Sequence, residues 1–107
     1  MEIVEYNDPA GRVPFRDWLE SLGDRQARAK IRARLERVAA GNLGDCKALR
    51  AGVMELKVDF GPGYRVYLSR QGAVMVLLLC GSDKSDQDRA INQAIDYLND
   101  WKLRGKP

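Results

Sequence analysis

From Met1 to Tyr6 the chain alternates loosely, with Ile3 and Glu5 opposed to Val4 and Tyr6. This predicts a short strand, ended by Asn7-Asp8-Pro9 and Gly11. Pro14 suits the first turn of a helix, and Phe15, Trp18, Leu19 and Leu22 then recur at helical spacing as far as Gly23. Asp24 can cap a second, longer helix with Ala27, Ile31, Leu35 and Val38 as its buried stripe and Gly41 as its stop. Gly41 to Gly52 reads as a loop carrying Lys47 and Arg50. Two alternating runs follow. In the first, Met54, Leu56 and Val58 oppose Glu55, Lys57 and Asp59; in the second, Tyr64, Val66 and Leu68 oppose Arg65, Tyr67 and Ser69. Both predict strands with one core face and one polar face. Between them Gly61-Pro62-Gly63 predicts a type II turn, with Pro62 at its second position and Gly63 supplying a positive φ at its third. Ala73 to Cys80 lacks alternation, which predicts a strand buried on both faces at the centre of the sheet. After a polar loop, Ser85 with Asp88 can form a capping box, and Ile91, Ala94, Ile95 and Leu98 mark a final helix to about Trp101.

The order predicts one α+β domain over residues 1–107. Its sheet is mixed but mainly antiparallel, of about four strands, with two N-terminal helices and one C-terminal helix. A chain of 107 residues fits one domain and not two. The longest apolar run, Ala73 to Cys80, falls well short of the ~20 residues that cross a bilayer, and the first residues lack the basic start and apolar run of a signal peptide. No membrane association is expected, and the cytoplasm is the expected compartment. Two cysteines and no histidine exclude a disulfide framework and the usual zinc and triad arrangements, so neither metal nor cofactor is expected. Cys80, at the end of an apolar run, reads as a small buried hydrophobe.

Net charge is only +3, so its placement carries more information than its size. Arg25, Arg28 and Arg32 flank the apolar stripe of the second helix on one side, and Lys30, Arg34 and Arg37 on the other. Such stems can simply cover the edges of an apolar seam. Yet Asp24 and Glu36 are the only acids between residues 24 and 40, and the anion best matched to such a surface is a phosphate backbone. If the two alternating strands pair across the Gly-Pro-Gly turn, Glu55, Lys57, Asp59, Arg65 and Tyr67 share one face, with Lys84 overhanging it. A solvated face laced with ion pairs is the plain reading of that set. Asp59-Phe60-Gly61 matches a kinase tripeptide by chance, because the chain has no room for a kinase.

The run ELKVDFGPGYRVYL, the apolar strand after it and GSDKSDQDRAINQAIDYL together resemble the RelE/ParE toxin superfamily, specifically its HigB-like addiction module killer branch. The likeness covers nearly the whole chain and is most specific from Lys47-Ala48-Leu49 to Gly81-Ser82-Asp83-Lys84-Ser85. It implies a RelE-like fold and a toxin that a cognate helix-turn-helix antitoxin holds inactive in a hetero-oligomer. The implied activity is ribosome-dependent cleavage of mRNA. A non-enzymatic DNA gyrase inhibitor resembling ParE, or a protein that only binds its antitoxin, is the alternative.

By the same resemblance Arg65 would contact the phosphate being cleaved, with Lys57 and Lys84 as further cations; the chemistry of the face itself offers Glu55 as an alternative base. The family's C-terminal catalytic Tyr or His has no clear counterpart; Tyr67 and Gln87 are the replacements considered. Arg25, Arg28, Lys30, Arg32, Arg34, Arg37, Lys47 and Arg50 are the expected RNA-binding cations.

Overall fold

A computed structural model describes residues 1–105. The chain runs β1 (Glu2–Glu5), α1 (Pro14–Ser21), α2 (Arg25–Ala39), β2 (Cys46–Ala48), β3 (Met54–Val58), β4 (Tyr64–Gln71), β5 (Met75–Ser82), a single 3-10 turn (Lys84–Asp86) and α3 (Gln87–Leu103). Among the described residues the result is a small α+β domain with three α-helices and a five-stranded mixed sheet ordered β1-β5-β4-β3-β2. β1 runs parallel to β5, while every other neighbouring pair is antiparallel. The fifth strand, β2, is a three-residue edge within the expected loop. Its Lys47 therefore sits in a sheet, opposite Glu55.

Helices cover both faces of the sheet. Phe15 and Leu19 of α1 and Ala27, Ile31 and Val38 of α2 pack with Leu56, Val58, Val66, Leu68 and Leu78. On the other face Ala90, Ala94, Leu98 and Trp101 of α3 pack with Tyr6, Tyr67, Leu77 and Leu79. The alternating strands thus lack the fully solvated polar face expected of them: Tyr67 packs under α3 and Glu55 and Arg65 are buried, while Lys57 stays exposed. β4, whose residues 64–69 are all buried, is the central strand, and β5 lies between it and β1.

A bulge reconciles the two faces of β5. Tyr67 pairs with Cys80 and Leu68 with Leu78, so Leu79 is the extra residue, and Leu79 and Cys80 both join the α3 side. Past the bulge Gly81 meets α1. A Cβ there would lie 2.3 Å from Trp18 Cε3, so the bare glycine is what lets the indole lie against the strand.

Asp24 caps α2 as expected, its Oδ1 accepting from the Gln26 and Ala27 amides at 2.9 and 3.3 Å. The predicted Ser85–Asp88 box does not form. Asp83 Oδ1 instead accepts from the Ser85 amide at 2.8 Å and from its hydroxyl at 2.6 Å, capping the 3-10 turn, and α3 starts without a side-chain cap. Cys80 is buried, and burial pushes its thiol up to about 12, which leaves it inert.

Candidate functional site

The turn between β3 and β4 differs from the expected one by one position. The Gly63 amide donates to the Phe60 carbonyl at 3.0 Å, which places Gly61, at φ +55°, and Pro62 in the two central positions. A positive φ at the first of them belongs to the primed turns that match the twist of a hairpin. Gly63 also has positive φ, and its carbonyl, at the mouth of β4, accepts from Arg65 Nη1 at 3.0 Å. The glycines therefore shape the tip and also hold the guanidinium against the strand.

Across the hairpin Lys57 pairs with Arg65, and Glu55 with Tyr67. Two like charges directly opposite each other destabilise a sheet. Here Lys57, Arg65 and Lys84 line one cleft of about 220 Å³, together with Asp59, Tyr64 and the Gly61-Pro62-Gly63 turn. Asp83 pins the turn that carries Lys84, and its own carboxyl is held below the usual range by the Ser85 bonds. Three of the five predicted catalytic residues therefore meet in one place.

The other two lie deeper. Arg65 is 8% exposed, so it is not on an open face. Beneath it Glu55 Oε2 lies 3.7 Å from Arg65 Nε, and Glu55 Oε1 lies 3.9 Å from Lys47 Nζ. Arg65 Nε is buried without a hydrogen-bond partner, so the ion pair holds it by charge alone. Tyr67 is fully buried, its hydroxyl 3.0 Å from Ser82 Oγ, and burial raises its phenol above the ordinary range. Neither Glu55 nor Tyr67 lines the cleft. Gln87 donates to the Lys84 carbonyl at 3.1 Å and so braces the same turn.

The eight expected RNA-binding cations also divide. Arg34 is 6% exposed and donates to the Leu43 carbonyl, so it closes the loop after α2 and is not a free surface charge. Arg28 donates to the Leu22 carbonyl, Arg50 to Asn92 Oδ1 at 2.8 Å, and Lys47 faces Glu55. Arg25, Lys30, Arg32 and Arg37 are exposed, as are Lys47 and Arg50 despite their partners. Arg32 borders a shallow apolar groove with Ile3, Leu35 and Ala39, whereas Lys30 and Arg37 face the β3–β4 hairpin. The sequence reading did not single out Asp59 and Phe60 as site residues. Their signal was local: both lie just past Val58, the last residue of β3, and before the Gly-Pro-Gly turn, where the strand ends. Among the described residues no three His, Cys, Asp or Glu side chains converge to hold a metal ion, and no helix is long and apolar enough to cross a membrane.

A small α+β domain with a cationic cleft beside a glycine-rich hairpin is the class that fold and site define. No protein-family model matches the chain. An uncharacterized protein of Haemophilus influenzae is 52% identical over 82 residues, which cover 77% of this chain and 83% of that relative. The chain belongs to the same family as that protein.

Proposed function

We propose that this protein is a toxin of the RelE/HigB-like kind, with a RelE-like fold, that cuts mRNA on the ribosome without using a metal ion. The observation that carries the reading is the placement of Lys57 and Arg65 opposite each other in β3 and β4, with Lys84 in the same cleft. Glu55 and Asp59 set two carboxylates against these three cations, and a phosphodiester supplies the anion that balances them. RNA brings its own nucleophile. The 2′-hydroxyl attacks the adjacent phosphorus, its proton passes to a base at the cleft, and the 5′-oxygen leaves with a proton from a lysine ammonium, giving a 2′,3′-cyclic phosphate and a 5′-hydroxyl. Arg65 neutralises the charge that grows on the non-bridging oxygens, and Lys57 and Lys84 stand by the attacking and leaving oxygens. Asp59 is the exposed carboxylate at the rim, placed to take the proton. Glu55 holds Arg65 from below. A cognate helix-turn-helix antitoxin would mask the cleft in a hetero-oligomer, and the ribosome places the work in the cytoplasm.

The second reading is a gyrase inhibitor of the ParE kind. The burial of Glu55 and Tyr67, two side chains proposed for proton transfer, favours it. One preparation tests both readings. Translating ribosomes are incubated with the protein and an mRNA, and again with an mRNA carrying a single 2′-deoxy sugar at the cut site, while purified gyrase is assayed for supercoiling. Cleavage that the 2′-deoxy sugar blocks, with normal supercoiling, is expected; intact mRNA with stalled supercoiling overturns the first reading in favour of the second.

A further inference from the structure

We infer that the groove between α2 and the β3–β4 hairpin binds one nucleotide of single-stranded RNA beside the cleft, with its phosphate on Lys30 and Arg37 and its base on Phe60. This rests on reading the cleft as the place where RNA is cut. The groove, of about 350 Å³, adjoins that cleft, because Lys57, Val58 and Asp59 line both and form the low wall between them. A chain of nucleotides seated at Arg65 would therefore pass over this wall and into the groove.

The groove's charge and shape suit a nucleotide. Lys30, Arg34, Arg37 and Lys57 outnumber the two acids there, Asp45 and Asp59. Arg34 forms part of the floor, its guanidinium buried and bonded to the Leu43 carbonyl, with Gly44 leaving the space it fills: a Cβ at Gly44 would lie 2.5 Å from Arg34 Nη2. Burial first, and then the charge of Arg37, lower the pKa of Arg34, so this cation gains from an anion placed beside it. Phe60 is half-buried on the opposite wall, with Lys30 Nζ 6.0 Å from its ring centroid. A half-exposed ring beside cations is the pairing that holds unstacked bases, since every base offers a π-face and every nucleotide a phosphate. Arg25 and Arg32, on the other side of α2, do not line this groove.

The test uses the purified chain and a fluorescein-labelled 2′-O-methyl-RNA tetranucleotide, which has no free 2′-hydroxyl and so cannot be cut. Anisotropy titrations over a range of salt measure its binding, and circular dichroism confirms that each variant is folded. Phe60→Leu is expected to weaken binding about tenfold and Phe60→Trp to preserve it. Lys30→Ala and Arg37→Ala, both at exposed positions, are each expected to lower the slope of log affinity against log salt by about 0.7. No binding of the tetranucleotide, or binding that is indifferent to Phe60 and Lys30, overturns the subsite. If mRNA is still cut in that case, the cleavage reading survives alone. Binding that depends on Phe60 in a chain that leaves mRNA intact supports the subsite and rejects cleavage.

Discussion

Glu55 and Arg65 form a buried pair of opposite charges at the β3–β4 hairpin. Both side chains are less than 10% exposed, and their charged atoms lie 3.7 Å apart, too far for a hydrogen bond but close enough for each to offset the other's desolvation. Removing one strands the other. Glu55→Ala is expected to destabilise the fold by about 3 to 5 kcal/mol in urea unfolding, because it leaves Arg65 buried opposite the like charge of Lys57. Glu55→Gln should cost less and separate two roles for the carboxylate. If Glu55 only positions Arg65, mRNA cleavage falls while the pH profile keeps its shape; loss of one limb of that profile would show that Glu55 takes the proton itself.

At the scale of elements, the docking of α1 against β5 depends on a residue that has no side chain. Trp18 lies over Gly81, 5.9 Å from Phe15 and edge-on to Tyr64 at 6.2 Å between centroids. A methyl group at position 81 would lie 2.3 to 2.5 Å from three atoms of the indole ring, so the ring and its helix would have to move away. Gly81→Ala is expected to cost about 1 to 3 kcal/mol, read as a lower urea midpoint. The double variant Gly81→Ala, Trp18→Leu should recover part of that loss by making room. A Gly81→Ala protein as stable as the parent would mean that α1 docks elsewhere. The bulge at Leu79 belongs to the same arrangement, since it restores Gly81 to the α1 side after two successive residues have faced α3.

Across the whole molecule, one hydrogen bond ties the residue after the first strand to the last helix. Tyr6 donates to Asp100 Oδ2 at 2.6 Å, and Arg104 reaches both Asp100 and the Asn7 carbonyl. Burial, followed by the bond and charge of Asp100, pushes the Tyr6 phenol up to about 12 from 10.0. The bond from Tyr6, then Arg104, holds the Asp100 carboxyl below its ordinary 3.8. The raised phenol adds stability that is complete below pH 10.0 and lost as pH climbs toward about 12. The depressed carboxyl adds stability that is present above 3.8 and lost as pH falls through its lower folded value. Urea midpoints measured across the acid and alkaline ranges should therefore fall at both ends, and Tyr6→Phe should flatten both limbs at once. A Tyr6→Phe profile parallel to that of the parent would show that the bond does not couple the two ends of the fold.

Periodicity and punctuation were enough to locate the helices and most of the strands. Pro14, Asp24 and Gly41 act within a few residues of themselves, and the Phe15-Trp18-Leu19 and Ala27-Ile31-Val38 spacings state a helical face directly. The conjunction of Lys57, Arg65 and Lys84 was legible too, because pairing across a tight turn follows from alternation. Local pattern could not say that α3 would close over Tyr67, or that Glu55 and Arg65 would be buried beside each other, when alternation had left all three open. Nor could it distinguish Arg34, folded back on Leu43, from its exposed neighbours Lys30 and Arg37 on the same stripe. Those outcomes depend on which surfaces meet across the chain, and a side chain's burial and partners are set by residues far away in sequence, beyond the reach of any local signal.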